Sequence, residues 1–160
     1  MSVASNTGPL IALAKVDQLA LLKTMFADVL IPPAVHRELL AKVGPEAQRL
    51  DDALQDFIRL QPMPPIAPEV DQATRGLGAG EQQAVALGIA RGVLLLIDDR
   101  LGRAAARQLG ANVTGVAGVL IQAKQTGLIP LVRPVQEAIR RNGYWLSDAV
   151  VESATKLAGE

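Results

Sequence analysis

Two adjacent carboxylates, Asp98 and Asp99, stand between the apolar run Val93-Leu94-Leu95-Leu96-Ile97 and a helical pattern carrying Arg100, Arg103 and Arg107. Five apolar residues, β-branched at both ends, are too short for a helix core and predict a strand buried on both faces. In open α/β sheets the working crevice lies beyond the carboxyl ends of the strands, so an acidic pair there is placed for chemistry. Aspartate is also among the best helix N-caps. Capping accounts for one of the two and leaves the other to be explained.

Three more polar residues fall at comparable places, just past a strand end or in the first turns of the helix that follows: Asn6, Glu38 and Glu81. With Asp98 and Asp99 they form a set of oxygen donors, the ligands that hard cations such as Mg2+ or Mn2+ prefer. Carboxylates that crowd together raise one another's pKa unless a cation neutralises them. If these converge, a divalent ion is their natural partner, activating water and binding a scissile phosphate. A single histidine, His36, and the absence of cysteine argue against a zinc triad, a Ser-His-Asp centre and thiol or disulfide chemistry.

The 160 residues, 49% hydrophobic and 20% charged, predict one globular domain spanning 1–160 with a sizeable core. No apolar run approaches the roughly 20 residues of a membrane span, and the start Met-Ser-Val-Ala-Ser-Asn lacks the pattern of a signal peptide. A cytoplasmic protein is the default expectation. Net charge is zero but unevenly spread. Residues 1–90 carry seven Lys/Arg against ten Asp/Glu, 91–141 eight against three, and 142–160 one against three. A basic arc beside an acidic cleft suits a polyanion.

Strands are expected at about 2–6, 29–31, 93–97 and 112–114, each followed by a helix, which predicts a mostly parallel sheet covered by helices on both faces. Pro9 and Pro33 suit first helical turns. Further helices are expected over Gln18–Met25, Ala34–Val43, Glu46–Leu60, Glu81–Arg91, Gly115–Lys124, Pro134–Arg141 and Ser147–Leu157, with Ser147 as an N-cap. Residues 61–68, rich in proline, read as a surface crossing. The run Gly76–Gly80 has neither a preceding strand nor a following Lys-Ser/Thr, so it reads as a mobile lead-in to a helix rather than a phosphate loop. Tyr144 and Trp145 read as anchors that tie the last helix to the core or to a dimer partner, rather than as rings that stack on RNA bases.

Four ordered blocks resemble PIN domains: Asn6-Thr7-Gly8-Pro9-Leu10-Ile11, Ile31-Pro32-Pro33-Ala34-Val35-His36-Arg37-Glu38-Leu39, Gly80-Glu81-Gln82-Gln83-Ala84-Val85-Ala86-Leu87 and Leu96-Ile97-Asp98-Asp99-Arg100-Leu101-Gly102-Arg103. The likeness is greatest to the small prokaryotic VapC-like branch. It implies a three-layer α/β/α sandwich and Mg2+/Mn2+-dependent endoribonuclease activity, often as the toxin of a toxin–antitoxin pair, commonly dimeric and inhibited by a small antitoxin. By position, the acidic ligands would be Asn6, Glu38, Glu81 and Asp99, with Asp98 adjacent. Arg103 is expected to contact RNA phosphate, which guanidinium matches in a bidentate way, with Arg100, Arg107 and Thr7 beside it. Two departures stand out: Asn6 replaces the usual aspartate, and Gly8 stands where many members carry Ser or Thr. The alternative is therefore a catalytically weak or inactive PIN-fold module that binds RNA or protein.

Overall fold

The computed structural model describes residues 1–160. Five parallel strands form one sheet: β1 (Ser2–Ser5), β2 (Asp28–Ile31), β3 (Ile58–Leu60), β4 (Leu94–Leu96) and β5 (Val113–Thr114), in the spatial order β3-β2-β1-β4-β5. Ten helices connect and cover them: α1 (Thr7–Lys15), α2 (Ala20–Met25), α3 (Pro33–Leu40), α4 (Pro45–Leu54), α5 (Pro68–Ala73), α6 (Ala79–Arg91), α7 (Arg100–Gln108), α8 (Val116–Gln125), α9 (Arg133–Arg141) and α10 (Asp148–Leu157). None is long and apolar enough to cross a membrane.

The period of two along each strand divides the apolar side chains between two cores. Val3, Val29, Ile31, Ile58 and Leu96 face the larger core, with residues of α1, α2, α4, α8, α9 and α10. Ala4, Leu30, Leu95 and Ile97 face the smaller one, filled by Ala84, Val85 and Leu87 of α6 and Ala106 of α7. This is the three-layer α/β/α arrangement that the alternation predicts.

Strand order sets the position of the crevice. The chain steps outward from β1 to β2 and β3, then returns past β1 to β4 and β5. Right-handed crossovers place helices on one face for the outward steps and on the other for the return, so the connections part between β1 and β4. The two strands pair there, Ser5 beside Leu96, and the Asn6 N–H donates to the Leu96 carbonyl at 3.2 Å. Asn6, Asp98 and Asp99 therefore leave the sheet side by side.

Two elements differ from expectation. The helix expected over Glu46–Leu60 ends at Leu54, and Ile58–Leu60 forms a fifth strand paired with β2, its Arg59 bridged to Asp28. Phe57 and Ile58 keep the helical spacing of Leu50 and Ala53 because all four face the same core. With no Gly or Pro in the turn, nothing local ends the helix. The proline-rich crossing runs into α5, with Pro68 in its first turn. At the C-terminal end, Ser147 Oγ accepts the Val150 N–H as a cap, and Ile139, Leu146, Val151 and Ala154 join the larger core.

Candidate active site

Asn6 occupies the N-cap position of α1 in extended backbone but does not cap the helix with its side chain. The residue is 4% exposed, and its Oδ1 atom has no hydrogen-bond partner. A buried acceptor left unpaired costs about 1–3 kcal/mol, so an orphan of this kind marks a place where a donor or cation belongs. The side chain lines a cavity of about 530 Å3 together with Glu81, Asp98, Asp99, Arg100, Arg103 and Tyr144.

Asp98 and Asp99, adjacent in sequence, are used differently. Asp99 is exposed and caps α7, its Oδ2 accepting the Gly102 N–H at 2.7 Å. Asp98 turns toward α8. Its Oδ1 accepts the Val116 N–H at 2.9 Å and its Oδ2 accepts the Tyr144 hydroxyl at 2.6 Å. Burial pushes the Asp98 carboxyl above its ordinary range, opposed by those two hydrogen bonds and by the Arg103 charge. Burial first, then the Asp98 charge, pushes the Tyr144 phenol far up, so it remains a protonated donor. Two glycines make this contact possible. A Cβ at Gly115 would strike Asp98 Oδ1 and Arg103 Nη1, and one at Gly8 would stand 2.9 Å from the Tyr144 hydroxyl. Gly8 is thus the complement of Tyr144.

Glu81 lies in the first turn of α6 and curls back over Gly78, where a Cβ would meet its Oε2 at 2.6 Å. Glu38, on α3, does not line the cavity. Its carboxylate accepts the hydroxyl of Thr7 and rests against Gly80, where a Cβ would come within 2.7 Å of Oε1. Glu38 is therefore fastened beside Asn6 and Glu81 without joining them. Thr7 is buried, its hydroxyl spent on Glu38. Of the five expected donors, the structure brings Asn6, Glu81, Asp98 and Asp99 to one cavity. No three carboxylate or imidazole side chains are close enough together to hold a metal between them.

A second cavity, about 700 Å3, opens beside the first between α7, α8 and α10. Arg100, Arg103 and Arg107 line it, and none has a carboxylate within 4.0 Å. Arg49, Arg59, Arg75, Arg133 and Arg140 are bridged to acids, while Arg37, Arg91 and Arg141 are not. Tyr144 is the site residue that spacing does not reveal. It lies in the α9–α10 connection, 46 residues from the carboxylate it holds. Its neighbour Trp145 does not anchor the last helix to the core: 81% of its surface is exposed.

No curated protein matches the chain closely enough in sequence to count as a relative. A PilT N-terminus domain protein from the hyperthermophilic archaeon Sulfolobus solfataricus P2 is similar in structure, with a TM-score of 0.51 at 13% identity, covering 92% of this chain and 98% of that one. That likeness shows a shared fold. The sequence profile of the PIN-domain family DUF3368 matches residues 2–160. PIN domains are in general divalent-metal-dependent nucleases. The match runs through all four blocks, three of which supply residues to the cavity, and this chain belongs to the PIN-domain family.

Proposed function

We propose that the protein is an Mg2+- or Mn2+-dependent endoribonuclease that cuts RNA at the cavity between β1 and β4. The observation that carries this reading is the unpartnered Asn6 Oδ1, buried in a wall shared with Glu81 and Asp99. An amide oxygen and carboxylates are a donor set that suits a hard cation. Asn6, Glu81 and Asp99 would hold the ion, with Glu38 close by. A bound ion of this kind supplies an activated water and neutralises a phosphate oxygen.

The chain's own residues do the rest. The Gly102 N–H fixes one oxygen of Asp99 and leaves the other for the cavity. Thr7 orients Glu38. Arg100 and Arg103, shared by both cavities, set positive charge where a phosphodiester must approach. Asp98, each of its oxygens already accepting one hydrogen bond, would chiefly hold the N-terminus of α8 against the site, with Asp99 nearer to the ion. The resemblance to the VapC-like branch supports a cytoplasmic, dimeric toxin restrained by a small antitoxin.

A second reading is a PIN-fold module that binds RNA or protein without cutting it. It is favoured by the missing charge at Asn6 and by the separation of the carboxylates. Cleavage of a mixed RNA pool with Mn2+, Mg2+ or EDTA separates the two, with the Glu81→Gln variant excluding a contaminating nuclease. Metal-dependent cutting that the variant loses supports the enzyme. RNA affinity indifferent to metal, with no products, supports the module.

A further inference from the structure

We propose that Trp145 is a base-stacking platform that, with the α7 arginines, forms a subsite for the unpaired RNA flanking the cut. The inference rests on the ribonuclease reading and extends it to which RNA is held and by what. Trp145 is the only tryptophan of the chain. It is 81% exposed, whereas Phe26 and Phe57 are buried and Tyr144 is half-buried. Leaving so large an apolar surface in water forgoes about 2–3 kcal/mol of burial.

The backbone around it is pinned. Tyr144 on one side is tied to Asp98, Leu146 on the other is buried in the core, and Ser147 caps α10. The indole is therefore held out from a rigid support. It lines both cavities, at the point where the acidic one passes into the basic one. Beyond it Arg100, Arg103 and Arg107 follow one another at i, i+3 and i+7 on one face of α7, none with a carboxylate within 4.0 Å, although Arg103 feels the charge of Asp98. That row extends about 10 Å along the helix axis, enough for more than one phosphate.

An exposed aromatic ring beside a track of free cations is the arrangement that single-stranded nucleic acid occupies, phosphates on the cations and a base on the ring. A duplex keeps its bases stacked internally and offers none to the indole. The centre of a protein–protein interface is depleted of charge, whereas this tryptophan shares a cavity with three guanidinium groups, none of them in a salt bridge. Charge complementarity favours the polyanion.

The only tryptophan is its own probe. Full-length protein in EDTA, where RNA stays intact, is titrated with a single-stranded octanucleotide, its abasic counterpart and a duplex, following indole fluorescence and anisotropy. The single strand is expected to quench Trp145, and the abasic strand to bind more weakly without quenching. Trp145→Ala is expected to weaken single-strand binding roughly 5- to 100-fold while Trp145→Phe retains most of it, with the salt dependence of both unchanged. Equal affinity in Trp145→Ala, equal quenching by the abasic strand, or a tryptophan already shielded in a dimer that Trp145→Ala dissolves would each overturn the subsite. Cleavage by wild type with Mn2+ is scored separately. Cutting with an indifferent Trp145→Ala refutes the platform alone, and quenching without cutting refutes the nuclease alone.

Discussion

At its acidic end the cleft draws Asn6 from the end of β1, Glu81 from α6 and Asp99 from the junction of β4 with α7; at its basic end Arg100, Arg103 and Arg107 all come from one helix. The first arrangement exists only when separate crossovers are folded and in register. The second exists whenever α7 does. An acidic centre assembled in this way is sensitive to single changes, because each donor has no substitute on its own element. A row of like cations shares its work, so losing one is tolerated. The same contrast recurs within the acidic end: Asp99 is a cap with one oxygen unbonded, and Asp98 is a strut with both oxygens hydrogen-bonded.

The largest expected effect falls on Asp99. Asparagine caps helices about as well as aspartate, so Asp99→Asn keeps α7 and changes stability by less than about 0.5 kcal/mol. It removes a charge from the donor set, and cleavage is expected to fall by about 100-fold or more, measured in single-turnover assays with Mn2+. A variant that melts like wild type and still cuts at full rate would remove Asp99 from the centre.

Asp98 is expected to behave in the opposite sense. Asp98→Ala leaves the Tyr144 hydroxyl and the Val116 N–H without their acceptor, a loss of about 2–4 kcal/mol in denaturant unfolding. Asp98→Asn can keep both bonds, its carbonyl accepting from Val116 and its amide donating to the tyrosine oxygen. The two differ in pH dependence. The folded carboxyl is raised above its ordinary 3.8, so the folded chain holds this proton more tightly than the unfolded one. Its contribution is most favourable below 3.8 and declines as pH rises through the raised folded value, leaving a constant penalty above it. Stability of Asp98→Asn relative to wild type, followed in EDTA, is therefore expected to increase from about pH 3 to about pH 7. A flat difference would show that the carboxylate is not penalised by burial.

Smaller again is the effect of giving residue 8 a side chain. A Cβ there meets the Tyr144 hydroxyl at 2.9 Å, so Gly8→Ala pushes the phenol from Asp98 and is expected to cost about 1–2 kcal/mol. In a Tyr144→Phe background the obstructing oxygen is gone, and most of that cost should vanish. A double-mutant cycle measures the coupling directly. Additive effects would mean that Gly8 is required for some reason other than the tyrosine.

What the sequence revealed of this molecule follows the same division between local and assembled features. Four strands, the Asp99 and Ser147 caps and the arginine face of α7 are written in periods of two or 3.6, or in one residue beside a helix start. β3 is three residues long and follows a turn without Gly or Pro, so its residues kept the helical period of α4. That Asn6, Glu81 and Asp99 meet at one cavity was legible because each sits at a strand end or helix start that the topology must bring to the crevice. The commitment of Asp98 to Tyr144 and Val116 was not, since it depends on how the C-terminal helices dock. Nor does anything in the spacing of Glu38 show that Thr7 and Gly80 hold it just outside the cavity.

Arg107 provides the mildest test and the one that returns to the two ends of the cleft. It lies two turns from Asp99, lines only the basic cavity and is exposed and unpaired. Arg107→Ala breaks no salt bridge, and alanine favours helix slightly, so the fold should be unaffected. Removing one cation that neutralises a phosphate of single-stranded RNA lowers the slope of log affinity against log salt by about 0.7, and affinity near physiological salt should fall a few-fold. Arg103→Ala is expected to weaken binding more, because Arg103 belongs to both cavities. A gradient of effect from Arg103 to Arg107 would mean that RNA runs along α7 away from the carboxylates. If Arg107→Ala leaves both affinity and slope unchanged while Arg103→Ala does not, the bound strand leaves the cleft before the second turn of α7, and the outer guanidinium is only a solvated charge.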